Sequence, residues 1–134
     1  MATIFTQIIN KHIPAYIVAE DERFIAFLDI RPLAKGHTLV VPKVEVDYIF
    51  DLEDALLSNM LPFAKRVAKG IEKVVPCLRI GMAVVGLEVP HAHLHLIPLH
   101  AAYDIDFKKK PLTYTQEEFT SLAQAIQADI TKQI

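Results

Sequence analysis

Apolar side chains recur along this chain at two different periods, and the switches between them divide it into elements. Behind Thr3, whose hydroxyl can accept the first free amides of a helix, Ile4, Phe5, Ile8 and Ile9 share one helical face, so residues 3–11 read as a short helix closed before Pro14. Residues 16–19 and 24–28 are aliphatic and aromatic runs separated by Glu20-Asp21-Glu22-Arg23, the pattern of an antiparallel hairpin. A third strand is expected at 37–41 after the Gly36 loop, with Pro42 at its end, where a missing N–H is tolerated. Between residues 52 and 75 the period lengthens: Leu56, Leu57, Met60, Leu61, Ala64, Val67, Ala68, Ile71, Val74 and Val75 recur at three- and four-residue steps, an amphipathic helix. Pro62 removes one backbone hydrogen bond from it, which predicts a kink or two abutting helices. Strands are expected at 80–85 and 92–98. Thr115-Gln116-Glu117-Glu118 then has capping-box spacing ahead of Phe119, Leu122, Ala123, Ile126 and Ile130, one face of a closing helix.

Length and charge narrow the class. At 134 residues a single domain over 1–134 is expected. Fourteen basic against 16 acidic side chains leave a net charge of -2, without the positive excess by which nucleic-acid binders neutralise phosphates. No apolar run reaches the length of a membrane span and the first residues lack a signal-peptide pattern, so neither membrane nor nucleic acid is expected as a partner and a cytoplasmic location is. The one cysteine, Cys77, reads as a small buried hydrophobe in a reducing compartment. Lys108-Lys109-Lys110 reads as a solvated turn.

Six histidines change the picture, because His91, His93 and His95 alternate with Ala92, Leu94 and Leu96. Alternation is the strand period, so the three rings should share one face, about 6.5 Å apart at ~3.3 Å rise per residue, with Leu94 and Leu96 turned into a core. Such rings bring no packing benefit, and two functional readings follow. They could ligate a metal with help from His37 or Asp29, although rings on a straight strand diverge and neither HExxH nor a cysteine pair is present. Alternatively one neutral imidazole acts as nucleophile, its far nitrogen keeping a proton through an acceptor, while others donate to a bound anion. His12 and His100 lie outside the pattern and read as surface side chains.

The run His91-Ala92-His93-Leu94-His95-Leu96-Ile97 resembles the motif of the histidine triad (HIT) family of nucleotide hydrolases and transferases. The likeness extends through Ile4-Phe5, Ile8-Ile9, Ile13-Pro14, Glu20-Asp21, the segment from Ala26 to Ile30, Pro32, and Gly36-His37-Thr38-Leu39-Val40-Val41-Pro42-Lys43, in the family's order and spacing over about the first hundred residues. It implies an α+β fold: an antiparallel five-stranded sheet with one long helix and a short N-terminal helix, here with an added C-terminal helix in 101–134, paired as a homodimer. It further implies attack by His93 on the α-phosphorus of a purine nucleotide conjugate, a phosphoramidate or dinucleoside polyphosphate, to form a nucleotidyl-histidine that water cleaves. The His91 carbonyl would hold the far nitrogen of His93, His95 and His37 would meet phosphate oxygens, and Asp29 would accept the ribose hydroxyls. Ile4, Phe5, Ile8, Ile13, Phe27 and Ile30 would build the purine slot, their other reading being ordinary core. Neither metal nor cofactor is required.

The resemblance breaks at residues 79–90. The family's Asn is absent, Leu87 and Glu88 stand where Gln and Ser or Thr donors are usual, only Gly86 matches, and the loop reads as straightened into strand. Leu99 replaces a basic residue often found after the last proline. A carboxylate aimed at a phosphate is unfavourable, so Glu88 should point away, pair with Arg79, or mark a changed substrate. The alternative functions are then a nucleotide-binding protein with little turnover, or a histidine-ligated metalloprotein.

Overall fold

The structure, a computed structural model, describes residues 2–132; Met1, Gln133 and Ile134 of the domain expected over 1–134 lie outside them. Helix α1 (Ile4–Ile9) starts where the pattern puts it, with the Thr3 hydroxyl accepting the Thr6 amide at 3.1 Å. Strands β1 (Ile17–Glu20) and β2 (Phe24–Leu28) form the antiparallel hairpin, turned by Asp21, whose carboxylate accepts the amides of Arg23 and Phe24 at 2.7 and 2.8 Å. Strand β3 (Thr38–Pro42), helix α2 (Asp54–Val74), strands β4 (Arg79–Ala83) and β5 (Leu94–Leu99) and helix α3 (Gln116–Lys132) follow. The fold is α+β, with one antiparallel five-stranded sheet in the order β1-β2-β3-β5-β4.

Both faces of the sheet are covered, which explains why every residue of β2 and β3 is buried. Phe24, Ala26, Leu28 and Val40 face a large core shared with α2 and α3, while Ile25, Phe27, Leu39 and Val41 alternate to the other side, under Phe5 and Ile8 of α1. Strand β5 sends Leu94 and Leu96 into the large core, so His95 between them projects to the α1 side. That division positions the site.

Three boundaries correct the sequence reading. Helix α2 is unbroken rather than two helices: Pro62 and Ser58, whose carbonyl loses its partner to the proline, are both exposed, so water can satisfy that oxygen. Strand β4 ends at Ala83 rather than 85, and residues 84–90 are irregular rather than straightened into strand; Gly86 sits there at φ +74°. Strand β5 starts at Leu94, not 92, leaving His91 and His93 on the approach to it. Cys77 is half-buried instead of buried. Helix α3 takes the expected capping box, Glu118 accepting the Thr115 amide at 2.8 Å while the Thr115 hydroxyl accepts that of Glu118 at 3.1 Å, and its five expected apolar residues are buried in the large core. Among the described residues no helix is long and apolar enough to cross a membrane.

Candidate active site

Four histidine rings and one phenylalanine form a row on the α1 side of the sheet. The ring of Phe5 meets those of His91 and His93 edge-on at 5.8 and 5.0 Å, His93 meets His95 at 5.0 Å, and His95 meets His37 at 5.2 Å. All four imidazoles are buried. His37 enters from the start of β3 behind Gly36, whose φ of +92° makes the turn and whose missing Cβ leaves room for Val75 and Ile71.

Fixed backbone groups decide where each proton sits. The Leu33 amide donates to Nδ1 of His37 at 3.0 Å, so a neutral His37 carries its proton on Nε2 and gives it to Nδ1 of His95 at 2.9 Å. His95 must then hold its own proton on Nε2, an N–H donor. Nδ1 of His93 faces the His91 carbonyl at 2.7 Å, which can only accept, so the proton is on Nδ1 and Nε2 keeps a lone pair. Nε2 of His91 donates to the Pro42 carbonyl at 2.8 Å and its Nδ1 accepts from the Thr3 hydroxyl at 2.9 Å. Burial, then the neighbouring histidines, push His37 down to about 3; burial, then His93, push His95 down to about 4, so both are neutral at pH 7.

Asp29, just past β2, accepts the Arg31 amide on Oδ1 at 2.8 Å and brings Oδ2 to 3.6 Å from Nε2 of His37. Burial raises its pKa, and the nearby charge of Glu88 adds to the rise. Glu88 is thus close enough to act on the site; it is exposed and forms no ion pair with Arg79 among the described residues. Of the six apolar positions, Phe5, Ile8 and Phe27 are buried with Ile25, Leu39 and Val41, Ile13 packs half-buried beside them, and Ile4 and Ile30 are 48% and 67% exposed. The structure therefore brings together His37, His91, His93, His95, Asp29 and Phe5, and leaves Ile4 and Ile30 largely exposed. His12 and His100 are exposed, as is the Lys108–Lys110 run.

Several neighbours had no sequence motif to reveal them. The Phe107 ring lies 4.8 Å from that of His95, and Val89 packs on the small core. A cavity of about 670 Å³ opens beside His93 between Tyr48, Phe50, Leu61, Val85 and Leu87, with Asp47 its one charged lining residue among those described.

Asp29, His37 and His95 have potential ligand atoms within 4.8 Å of one another, close enough to suggest a metal trio. The protons argue against it. A metal on Nε2 of His37 needs the lone pair that the Leu33 N–H, by occupying Nδ1, denies to a neutral ring. Both nitrogens of His91 are likewise engaged.

A family model described as HIT domain matches residues 10–102. An uncharacterised HIT-like protein of Borreliella burgdorferi is 33% identical over 95% of this chain and 97% of its own. An adenosine 5'-monophosphoramidase of Schizosaccharomyces pombe is 32% identical over 97% and 99% of the two chains. The crystal structure of a HIT-like protein of Bartonella henselae superimposes with a TM-score of 0.83 at 29% identity, covering 95% of each chain. The match of the HIT domain model over residues 10–102, the 33% identity over nearly the whole of two chains and the fold shared with the Bartonella henselae protein make this chain a member of the HIT family.

Proposed function

We propose that this protein hydrolyses the phosphorus–nitrogen bond of a purine nucleoside 5'-phosphoramidate through a covalent nucleotidyl-histidine. The observation that carries this reading is the 2.7 Å contact from Nδ1 of His93 to the His91 carbonyl, which leaves a lone pair on Nε2 beside the N–H of His95. In the first step Nε2 of His93 forms a bond to the α-phosphorus and the phosphorus–nitrogen bond breaks, the amine leaving with a proton taken from solvent water, which the water consumed in the second step returns. In the second, water attacks phosphorus, the bond to His93 breaks, and a nucleoside monophosphate departs. His95 donates to a phosphate oxygen as charge builds, Asp29 takes the ribose hydroxyls, and Phe5, Ile8, Ile13 and Phe27, with Ile4 and Ile30 at the rim, hold the base. Positioning and charge stabilisation do most of such work. An amine suits this site better than a dinucleoside polyphosphate, because among the described residues the cavity beside His93 is lined by Asp47 and no cation, and Glu88 adds negative charge.

We place the protein in the cytoplasm as a homodimer acting on a small nucleotide. The exposed apolar side chains of Met82 on the outer strand β4 and of Val84 and Val85 just past its end, with Leu61 of α2, support pairing with a second copy. Incubation with adenosine 5'-phosphoramidate tests the activity: release of AMP by the wild type and none by His93→Ala is expected, and equal turnover by the two would remove His93 as nucleophile. Leu87, 88% exposed in place of a donor, favours one second reading, nucleotide binding with little turnover. Calorimetric affinity for AMP without hydrolysis would select it.

A further inference from the structure

A second polar cluster meets the triad at His91, the histidine assigned no contact with substrate. Glu45, exposed on the segment after β3, accepts the Thr6 hydroxyl at 2.6 Å and the Thr3 amide at 2.8 Å. These two donors hold its carboxylate below the usual range. With the Thr6 proton drawn to Glu45, the Thr3 hydroxyl, 3.3 Å from that of Thr6, is free to give its proton to Nδ1 of His91 at 2.9 Å. The other ring nitrogen of His91 donates to the Pro42 carbonyl, and its amide to the Val89 carbonyl at 2.8 Å. Next to it, the Ala92 amide is held by the Val46 carbonyl at 2.7 Å. His91 is therefore gripped on every side except the carbonyl that faces His93.

We propose that Glu45, Thr6 and Thr3 are positioning residues for the nucleophile, acting as a proton-ordered chain that locks the His91 ring and so aims the His91 carbonyl at Nδ1 of His93. The proposal rests on His93 as the nucleophile. No group in the chain meets substrate; its effect is to keep His93 in one tautomer. Without the Thr3 hydroxyl, Nδ1 of His91 has Thr6 Oγ1 as its nearest other donor, 3.5 Å away and committed to Glu45. The ring is then held through Nε2 alone, and the backbone bonds to Val89 and Val46 are left to hold the His91 carbonyl in line without the ring as a brace. Without the Glu45 carboxylate, the two threonine hydroxyls compete for the same nitrogen and the Thr3 amide loses its acceptor.

Nitrogen-15 NMR of the ligand-free protein reads the imidazole tautomers directly and needs no turnover. Wild type should show His93 protonated on Nδ1 and His91 on Nε2. Thr3→Val and Glu45→Ala should each give mixed tautomers at His93, whereas Thr3→Ser and Glu45→Gln, which keep the hydroxyl and the accepting oxygen, should keep the wild-type spectrum. With adenosine 5'-phosphoramidate, the first pair should lose about tenfold in kcat with KM unchanged, and the second pair should not. A His93 spectrum unchanged in both Thr3→Val and Glu45→Ala overturns the proposal. Should Thr3→Val fail to fold for want of its N-cap, Glu45→Ala, at an exposed position, decides alone. Should the wild type turn over no phosphoramidate, the functional reading falls while the tautomer measurement still decides this one.

Discussion

Nε2 of His37 and Nδ1 of His95 share one proton across 2.9 Å, and the Leu33 amide behind His37 dictates which of them owns it. In the proposed reaction His37 would therefore act on the phosphate through His95, since its own N–H is spent on that ring. His37→Ala should leave Nδ1 of His95 without a donor and the Leu33 amide without an acceptor. Turnover should fall roughly 10- to 100-fold, as when a donor to developing charge is misplaced. Stability should fall by about 1–3 kcal/mol for the orphaned buried amide. Steady-state rates and urea unfolding check both, and unchanged turnover would refute the relay.

The same pair makes stability depend on pH. With folded-state values of about 3 and about 4, His37 and His95 stay neutral while the unfolded chain takes up protons at about 6.5. Their contribution is therefore full above about pH 6.5 and is lost as pH falls toward the folded values, by about 1 kcal/mol or more per unit from the pair. Asp29, raised by burial, works in the opposite sense at the acid end, because the folded chain accepts its proton first. Urea midpoints at pH 7 and pH 5 should show the decline, and His37→Ala should flatten it; an equal slope in the variant counts against the assignment.

Gly70 marks the contact between α2 and α3. A Cβ there would sit 2.5 Å from Cγ1 of Ile130, too near for the two helices to keep their spacing. Gly70→Ala gains helix propensity, about 1 kcal/mol, yet should lower stability on balance because overpacking costs about 1–3 kcal/mol. Ile130→Ala in the same chain should recover part of the loss. Thermal unfolding of both variants and the double variant measures that coupling, and a simple sum of the single effects would deny the contact.

Leu87 lines the cavity that His93 also lines, and its side chain offers no proton to a leaving group. Leu87→Gln supplies an amide there. Phosphoramidate turnover should rise, by about tenfold for a donor that is only partly aligned. A rate that falls, with affinity for AMP unchanged, would mean that the apolar wall itself serves the reaction.

Much of this was legible in the sequence because the sheet obeys its period: Phe24, Ala26 and Leu28 go to one side, Ile25 and Phe27 to the other, and Leu94 and Leu96 send His95 opposite the large core. The capped helices were equally readable, since Thr3 and Thr115 each satisfy amides a few residues away. Pro62 misled, because local chemistry cannot say that its freed carbonyl faces water. Residues 84–90 misled in the other direction: Val84 and Val85 have strand propensity but no partner strand, and Gly86 turns the chain. The proton order among the rings was hidden for a further reason. It depends on Leu33, Pro42 and Glu45, whose bonds around the triad no motif reveals and which approach it only through the pairing of β3 with β5 and the seating of α1.

Helix α1 has six residues, too few to hold a helical shape in isolation. It owes that shape to the small cluster beneath Phe5 and Ile8, while the rest of the fold is secured by the larger core around α2 and α3. Amide protons of α1 should consequently exchange with solvent through local opening, ahead of those in β2 and β3. A nucleotide seated against Phe5 would slow that exchange, so occupancy of the pocket would be written into the hydrogen-exchange clock of residues 4–9.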